Sequence, residues 1–100
     1  MPRIARLNRP GAFYHVISCF IDDTWFLQDD EERSTYLRMF AHALRATDWV
    51  CFAYALMSNH LHFAMLAGEL PMSSWTISVN GSFGQWMNAR HGRRGHVFAD

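Results

Sequence analysis

Lysine is missing from this chain. All nine basic residues are arginine, and nine carboxylates balance them to a formal net charge of zero. A neutral chain lacks the long-range pull that a strongly basic domain exerts on nucleic acid or on an anionic membrane, so any recognition of anions has to be local. Cysteine is nearly absent. Cys19 and Cys51 stand 32 positions apart, which excludes a disulfide-stapled scaffold and any CxxC zinc-ribbon spacing. Both are expected to be buried, reduced thiols. Long apolar runs are absent too: the longest, Trp49 to Met57, has nine residues, and a bilayer needs about 20. The opening Met1-Pro2-Arg3-Ile4-Ala5-Arg6 has no apolar core of a secretory signal. These absences lead to the expectation of a cytoplasmic protein with no membrane partner.

No internal repeat, low-complexity segment or linker interrupts the 100 residues, a length that suits one domain, 1–100. Half the residues are hydrophobic and 15% are aromatic, enough for a packed core and against disorder. The charge that exists is segregated. Arg3, Arg6 and Arg9 crowd one end; Arg90, Arg93 and Arg94 crowd the other, with His91 and His96 among them. Between them, Asp22 to Glu32 holds six carboxylates and no base. The planar guanidinium fork matches phosphate bidentately, so the arginine clusters are candidate phosphate contacts. A solubilising charged surface is the alternative.

Pro10-Gly11 marks a turn, and Ala12 to Phe20 reads as a strand with His15, Ile17 and Cys19 on one face and Tyr14, Val16 and Ser18 on the other. Asp29 and Glu32 stand at capping-box positions, and Tyr36, Leu37, Phe40 and Leu44 follow at helical spacing, predicting a helix near 30–46. Trp49 to Met57 reads as a buried strand. Ser58-Asn59 is so short a join that this strand and the next, about His60 to Ala67, form an antiparallel hairpin. Ser73 or Ser74 is placed to cap a second helix, whose apolar stripe is Met72, Trp75, Val79, Phe83 and Trp86. Gly81 and Gly84 weaken that helix by about 1 kcal/mol each relative to alanine, and close packing on the sheet is their expected role. Asn88 to Gly95 reads as a polar loop, and Val97-Phe98 as the start of a fourth strand. The order β-α-β-β-α-(β) predicts an α+β, ferredoxin-like (split βαβ) fold: an antiparallel sheet with two helices on one face and the other face open.

His60-Leu61-His62 is the candidate site. Side chains alternate along a strand, so both imidazoles share a face and Leu61 and Phe63 share the opposite one. With the apolar pair under the helices, the histidines lie on the open face. Two imidazoles are too few for a complete metal site, since a structural zinc needs four protein ligands and a catalytic zinc usually three. The alternative is a pair of half-buried, hydrogen-bonded histidines. His15 is able to face the same side. His91 and His96 are weaker contributors, because the arginines around them repel a cation.

Several segments together resemble the single-tyrosine transposases of the insertion-sequence-200 type, including the REP-associated group, within the His-hydrophobe-His nuclease superfamily. The matching stretches run from end to end in order. They are Pro2-Arg3, Pro10-Gly11-Ala12-Phe13-Tyr14-His15-Val16, Phe26-Leu27, Tyr54-Ala55-Leu56-Met57-Ser58-Asn59-His60-Leu61-His62, Asn80-Gly81 and Asn88 to Phe98. The resemblance implies DNA transposition. His60 and His62 would hold a divalent metal, Mg2+ or Mn2+, beside a phosphodiester of single-stranded or hairpin DNA. A tyrosine would attack to form a 5′-phosphotyrosine, with strand rejoining to follow. Arg3, Arg6, Arg9, Arg90, His91, Arg93, Arg94 and His96 would contact the DNA.

Three departures stand against that pattern. Ser58 occupies a position where the family usually has proline, and Cys19 to Thr24 replaces a turn commonly rich in arginine or asparagine. The family's nucleophilic tyrosine lies on a further helix beyond the segment matched by Gly95-His96-Val97-Phe98, and the chain reaches Asp100 before such a helix, so the domain is expected to be incomplete at that end. Tyr14, Tyr36 and Tyr54 are poor substitutes for the nucleophile. Three functions therefore stay open on the sequence: a transposase-type strand transferase, a relative that binds DNA and metal without chemistry, and a ferredoxin-like module that binds RNA on its open sheet. A homodimer formed through the open face is a further expectation.

Overall fold

Pro10 and Gly11 turn the chain into its first strand. Gly11 takes φ 83°, a left-handed conformation that glycine adopts without a Cβ penalty, and its N–H donates to Ala67 O at 2.8 Å. In the computed structural model, which describes residues 9–99, β1 follows at Phe13–Cys19 and then a single 3-10 turn at Ile21–Asp23. After these come α1 (Asp30–Arg45), β2 (Val50–Leu56), β3 (His60–Leu66) and α2 (Ser73–His91). Asp22 and Asp23 both hold positive φ, 53° and 54°, which aspartate tolerates better than most residues.

The sheet is antiparallel throughout, in the order β1-β3-β2. The central strand is therefore β3, the strand that carries the histidine pair. Its Leu61, Phe63 and Met65 are no more than 1% exposed. Above them, Phe63 meets Phe40 at 4.7 Å and Tyr36 at 6.0 Å between ring centroids, both on α1, and Trp75 of α2 at 6.1 Å. Both helices thus cover one face of the sheet, as the ferredoxin-like pattern predicts. Burying side chains of this size contributes roughly 1.5–3 kcal/mol each, so the register of β3 is strongly fixed. A one-residue slip would put the histidines in the core and three large apolar groups in water.

Both helices begin and end for local reasons. At the start of α1, Asp29 accepts from Glu32 N at 2.8 Å as the capping box predicts, while Glu32 reaches back to accept from Gln28 N at 2.9 Å, one residue before the N-cap whose N–H the box would use. Neither Ser73 nor Ser74 caps α2. Met72 holds the cap position without a side-chain bond, and Ser74 Oγ donates to Pro71 O at 2.6 Å. The expected loop over 88–95 is also shorter than read, since α2 continues to His91. Gly92, at φ 61°, ends it by donating its N–H to Asn88 O.

Further differences from the sequence reading have plain causes. β2 is an edge strand, not a buried one, and a register irregularity at Phe52 leaves Phe52 and Tyr54 more than half exposed. On α2, Met87 takes the last core place in the row Trp75, Val79, Phe83, while Trp86 is only half-buried. Cys19 is exposed and Cys51 half-buried. Neither α2 glycine is demanded by packing. A Cβ on Gly81 would meet nothing within 4 Å, and one on Gly84 would sit 3.8 Å from Val97. The fourth strand is present only as a bridge: Phe98 pairs with Phe20, Ile21 N donates to Val97 O and Ala99 N to Cys19 O. Among the described residues no helix is long and apolar enough to cross a membrane.

Candidate functional site

Because the helices bury Leu61 and Phe63, His60 and His62 emerge together on the uncovered face of β3, each half-exposed. Their rings lie 4.7 Å apart, edge to face. The pairing register adds neighbours from β1. Cys19 stands opposite His60 and Ile17 opposite His62, and His15, one diagonal step away, comes close enough that its Nε2 is 2.8 Å from His62 Nδ1. The His15 and His62 rings stack at 5.0 Å. His15 faces the pair, as its strand position predicts.

The hydrogen bonds around the pair decide which nitrogens face outward. Asn59 Oδ1 lies 2.7 Å from His60 Nδ1. An amide oxygen only accepts, so His60 donates from Nδ1, and the neutral form of the ring with that proton has its lone pair on Nε2. That is the arrangement of a metal-ligating histidine whose second nitrogen is held by a carbonyl. His62 titrates below the ordinary histidine range because of partial desolvation, then its neighbours His60 and His15. It is therefore neutral at physiological pH, the form able to ligate. The pair fits a divalent cation as two imidazole donors of a larger sphere. Among the described residues no three His, Cys, Asp or Glu side chains converge to complete it, so remaining positions fall to water or to oxygens of a bound phosphate.

A shallow hollow of about 230 Å³ borders the histidines, lined by His15, His62, Ala53, Ala55 and Ala64, with Tyr54 and Phe63 also bordering it. Beyond it, Phe13 and Phe52 meet at 5.4 Å and remain 73% and 57% exposed. Ile17 and Val50 are exposed on the same face. The aromatic pair was missed in the sequence because the irregularity at Phe52, which turns that ring to the open face, has no local signature.

Among the described residues, Arg9 stands apart from Arg90, Arg93 and Arg94. Arg3 and Arg6 lie outside the described residues. Arg9 stands at the start of β1, where its N–H donates to the Tyr14 hydroxyl at 3.1 Å. The second cluster belongs to the opposite end of that strand, roughly 20 Å away at about 3.3 Å per residue. There Phe98 bridges Phe20 and Phe20 N donates to Asn59 O, which brings the segment around 94–98 beside the start of β3 and hence near His60.

Within that second cluster the residues divide. Arg90 reaches Glu31 at 2.8 Å, Asp29 at 3.1 Å and Glu32 at 3.3 Å, and lies over the Trp86 ring. These carboxylates, Glu31 foremost, hold its guanidinium above its ordinary range. His91 Nε2 donates to Glu32 at 2.8 Å. Arg93 lies over the Phe26 ring at 4.8 Å and donates to Asn88 Oδ1 and to His96 O. Arg90, His91 and Arg93 therefore fasten the end of α2 to the acidic start of α1 and to its own following turn. Arg94 and His96 are exposed, and among the described residues neither side chain has an ion pair. They are the members of the cluster available to an anion.

All three tyrosines belong to the helix side of the sheet. Tyr36 is buried in the core, and burial pushes its hydroxyl far above the normal range. Tyr14 stacks on Trp49 at 6.1 Å. Tyr54 pairs with Phe63 in register but, on the edge strand, is exposed and not a core residue as expected.

Comparison with protein-family models and with curated protein sequences finds no match. Among solved structures the chain is similar to one described as the REP-associated tyrosine transposase bound to a REP hairpin, with a TM-score of 0.65 at 10% identity. The likeness covers 99% of this chain and 58% of that one. At this identity it establishes a shared fold.

Proposed function

We propose that this protein binds single-stranded DNA across its open sheet face, with His60 and His62 holding a divalent cation, Mg2+ or Mn2+, against a backbone phosphate. The observation that carries the reading is the imidazole pair on β3: two rings 4.7 Å apart on the open face of the central strand, one of them held through Nδ1 by Asn59. The likeness in fold to a transposase solved with a REP hairpin supports DNA as the ligand. When bound, the cation supplies Lewis-acid polarisation of a phosphoryl oxygen. Asn59 orients His60, Arg94 offers positive charge and His96 an exposed imidazole near the same end of the sheet, and Phe13 with Phe52 offers a platform on which bases stack without sequence preference.

Strand cleavage and rejoining through a phosphotyrosine, which the resemblance implies, would need a nucleophile that the open face of this chain does not supply. Tyr14, Tyr36 and Tyr54 lie on the other side of the sheet, so the attacking hydroxyl belongs to none of them. Self-association would use the same exposed apolar surface, and a light-scattering mass of twice 11.6 kDa would support it.

The test is binding of a fluorescent hairpin DNA with a single-stranded flank, with and without Mn2+, by the wild type and by a His60→Ala/His62→Ala double variant. Mn2+-strengthened binding that the double variant loses supports the reading. Equal binding by both proteins refutes the metal role, and preference for RNA of matched sequence refutes DNA as the ligand. An SDS-resistant protein–DNA adduct reports covalent chemistry separately.

A further inference from the structure

His60 has its orienting partner in Asn59; His62 has one of a different kind on another strand. We propose that His15 is the positioning residue for His62. In this assignment His15 accepts a hydrogen bond at Nε2 from His62 Nδ1–H, which leaves the His62 Nε2 lone pair beside that of His60. This rests on the metal reading given above and adds to it the residue that sets the second ligand.

Three observations carry the assignment. First, the contact is short, 2.8 Å, between two ring nitrogens, so one must donate and the other accept. Second, each choice has a definite consequence. If His62 accepted at Nδ1, its proton would sit on Nε2 and the nitrogen next to His60 could not ligate; if it donates, both histidines present lone pairs outward. Third, the same logic already operates one residue away, where Asn59 Oδ1 forces the Nδ1–H form of His60. Asn59 immediately precedes β3, whereas His15 is supplied by β1. Its position is set by the ladder that places His15 opposite Ala64, diagonal to His62. The small Ala64 side chain leaves the imidazole room to lean across. His15 is not a third ligand in this arrangement, because the nitrogen that faces the pair is consumed by the hydrogen bond, in keeping with the lack of a converging three-residue cluster among the described residues.

A partner of this kind is typically worth 10–100-fold in metal affinity. The experiment titrates Mn2+ into wild type, His15→Ala, His15→Gln and His62→Ala by electron paramagnetic resonance. It also reads the His62 tautomer in the metal-free protein from side-chain ¹⁵N shifts. Glutamine keeps an acceptor about as far from the backbone as Nε2. The expected result is a loss of about tenfold or more in His15→Ala, near-wild-type affinity in His15→Gln, and Nδ1–H on His62 that is lost only in His15→Ala. Wild-type affinity in His15→Ala, with affinity lost in His62→Ala, overturns the role of His15 alone. Equal losses in His15→Ala and His15→Gln also overturn it, since they make His15 a strand-packing residue. Unchanged affinity in His62→Ala, or no Mn2+ binding by wild type, overturns the metal reading together with this one.

Discussion

His91 Nε2 lies 2.8 Å from the carboxylate of Glu32, a residue only 2% exposed and 59 positions away in sequence. The contact joins the last turn of α2 to the first turn of α1. The charges are arranged as the two helix dipoles favour, with carboxylates at the positive end of one and bases at the negative end of the other. Glu32 also accepts from Gln28 N and faces Arg90, so it is fully satisfied where an unpaired carboxylate would be costly. The segregated charge of the sequence thus has an internal purpose, in which the acidic stretch and part of the arginine cluster neutralise one another.

This separates two arginines that composition treats alike. Arg90→Ala is expected to lower the denaturation midpoint and leave DNA affinity unchanged. Arg94→Ala is expected to leave stability unchanged, weaken DNA binding about equally for all sequences, and reduce the slope of log affinity against log salt by about 1. Glu32→Ala, which strands the Gln28 N–H and the His91 donor, is expected to cost about 1–3 kcal/mol. Urea titrations and salt-dependent anisotropy on the same three variants check all of this. A salt slope altered by Arg90→Ala rather than by Arg94→Ala would reverse the assignment.

The two kinds of glycine also part company. Gly81 lies in the interior of α2 with open space where a Cβ would go, so Gly81→Ala is expected to stabilise by about 1 kcal/mol and raise Tm by roughly 4–8 °C for a domain of this size. At Gly68 a Cβ would overlap both the carboxylate and the backbone carbonyl carbon of Asp48. Gly68→Ala therefore requires the backbone to shift and is expected to destabilise by about 1–3 kcal/mol. Thermal melts of both variants give the signs directly, and a destabilised Gly81→Ala would reveal a packing role that the folded chain does not display.

What could be read from the residues follows what is local. The cap at Asp29 and Glu32, the face shared by His60 and His62, and the hairpin through Ser58-Asn59 are each set by spacing within a few positions, and each is found in the fold. Pairing between distant segments is not local, and there the reading fell short. Nothing near Trp49–Met57 announces an edge strand; only the order β1-β3-β2 does. Arg90 and Asp29 are 61 positions apart, and the one available hint was the complementary segregation of their charges. His15 was legible as a same-face residue, but its contact with His62 depends on the register of β1 against β3.

Asp48 gives the fold a predictable acid limb. Its carboxylate accepts from Glu69 N at 2.7 Å and Leu70 N at 3.4 Å, and these donors, Glu69 first, hold it below its ordinary value of 3.8. A carboxyl whose folded value is depressed binds its proton more readily when unfolded. The stability it contributes is therefore full above its unfolded value, near 3.8, and is lost as pH falls from there through the lower folded value. Urea midpoints measured between about pH 2 and pH 5 are expected to fall more steeply for wild type than for Asp48→Asn. Parallel curves would show that Asp48 carries no such linkage.

Phe52 offers the sharpest test of the proposed nucleic-acid path. The ring is 57% exposed and meets Phe13 at 5.4 Å on the histidine face, so truncating it removes little that the core uses. An apolar pair of this exposure, bordering a hollow lined with alanines and the two imidazoles, has the character of a stacking platform. Stacking of a base on an aromatic ring is worth about 1–3 kcal/mol, which converts to roughly a ten- to hundredfold change in Kd. Phe52→Ala is expected to weaken binding of an unstructured thymidine oligonucleotide by that factor while keeping the wild-type melting profile. Phe52→Tyr, which preserves the ring, is expected to restore it. If Phe52→Ala instead binds the oligonucleotide as wild type does but changes the light-scattering mass, the aromatic pair serves a second copy of the chain and is no part of the proposed DNA path.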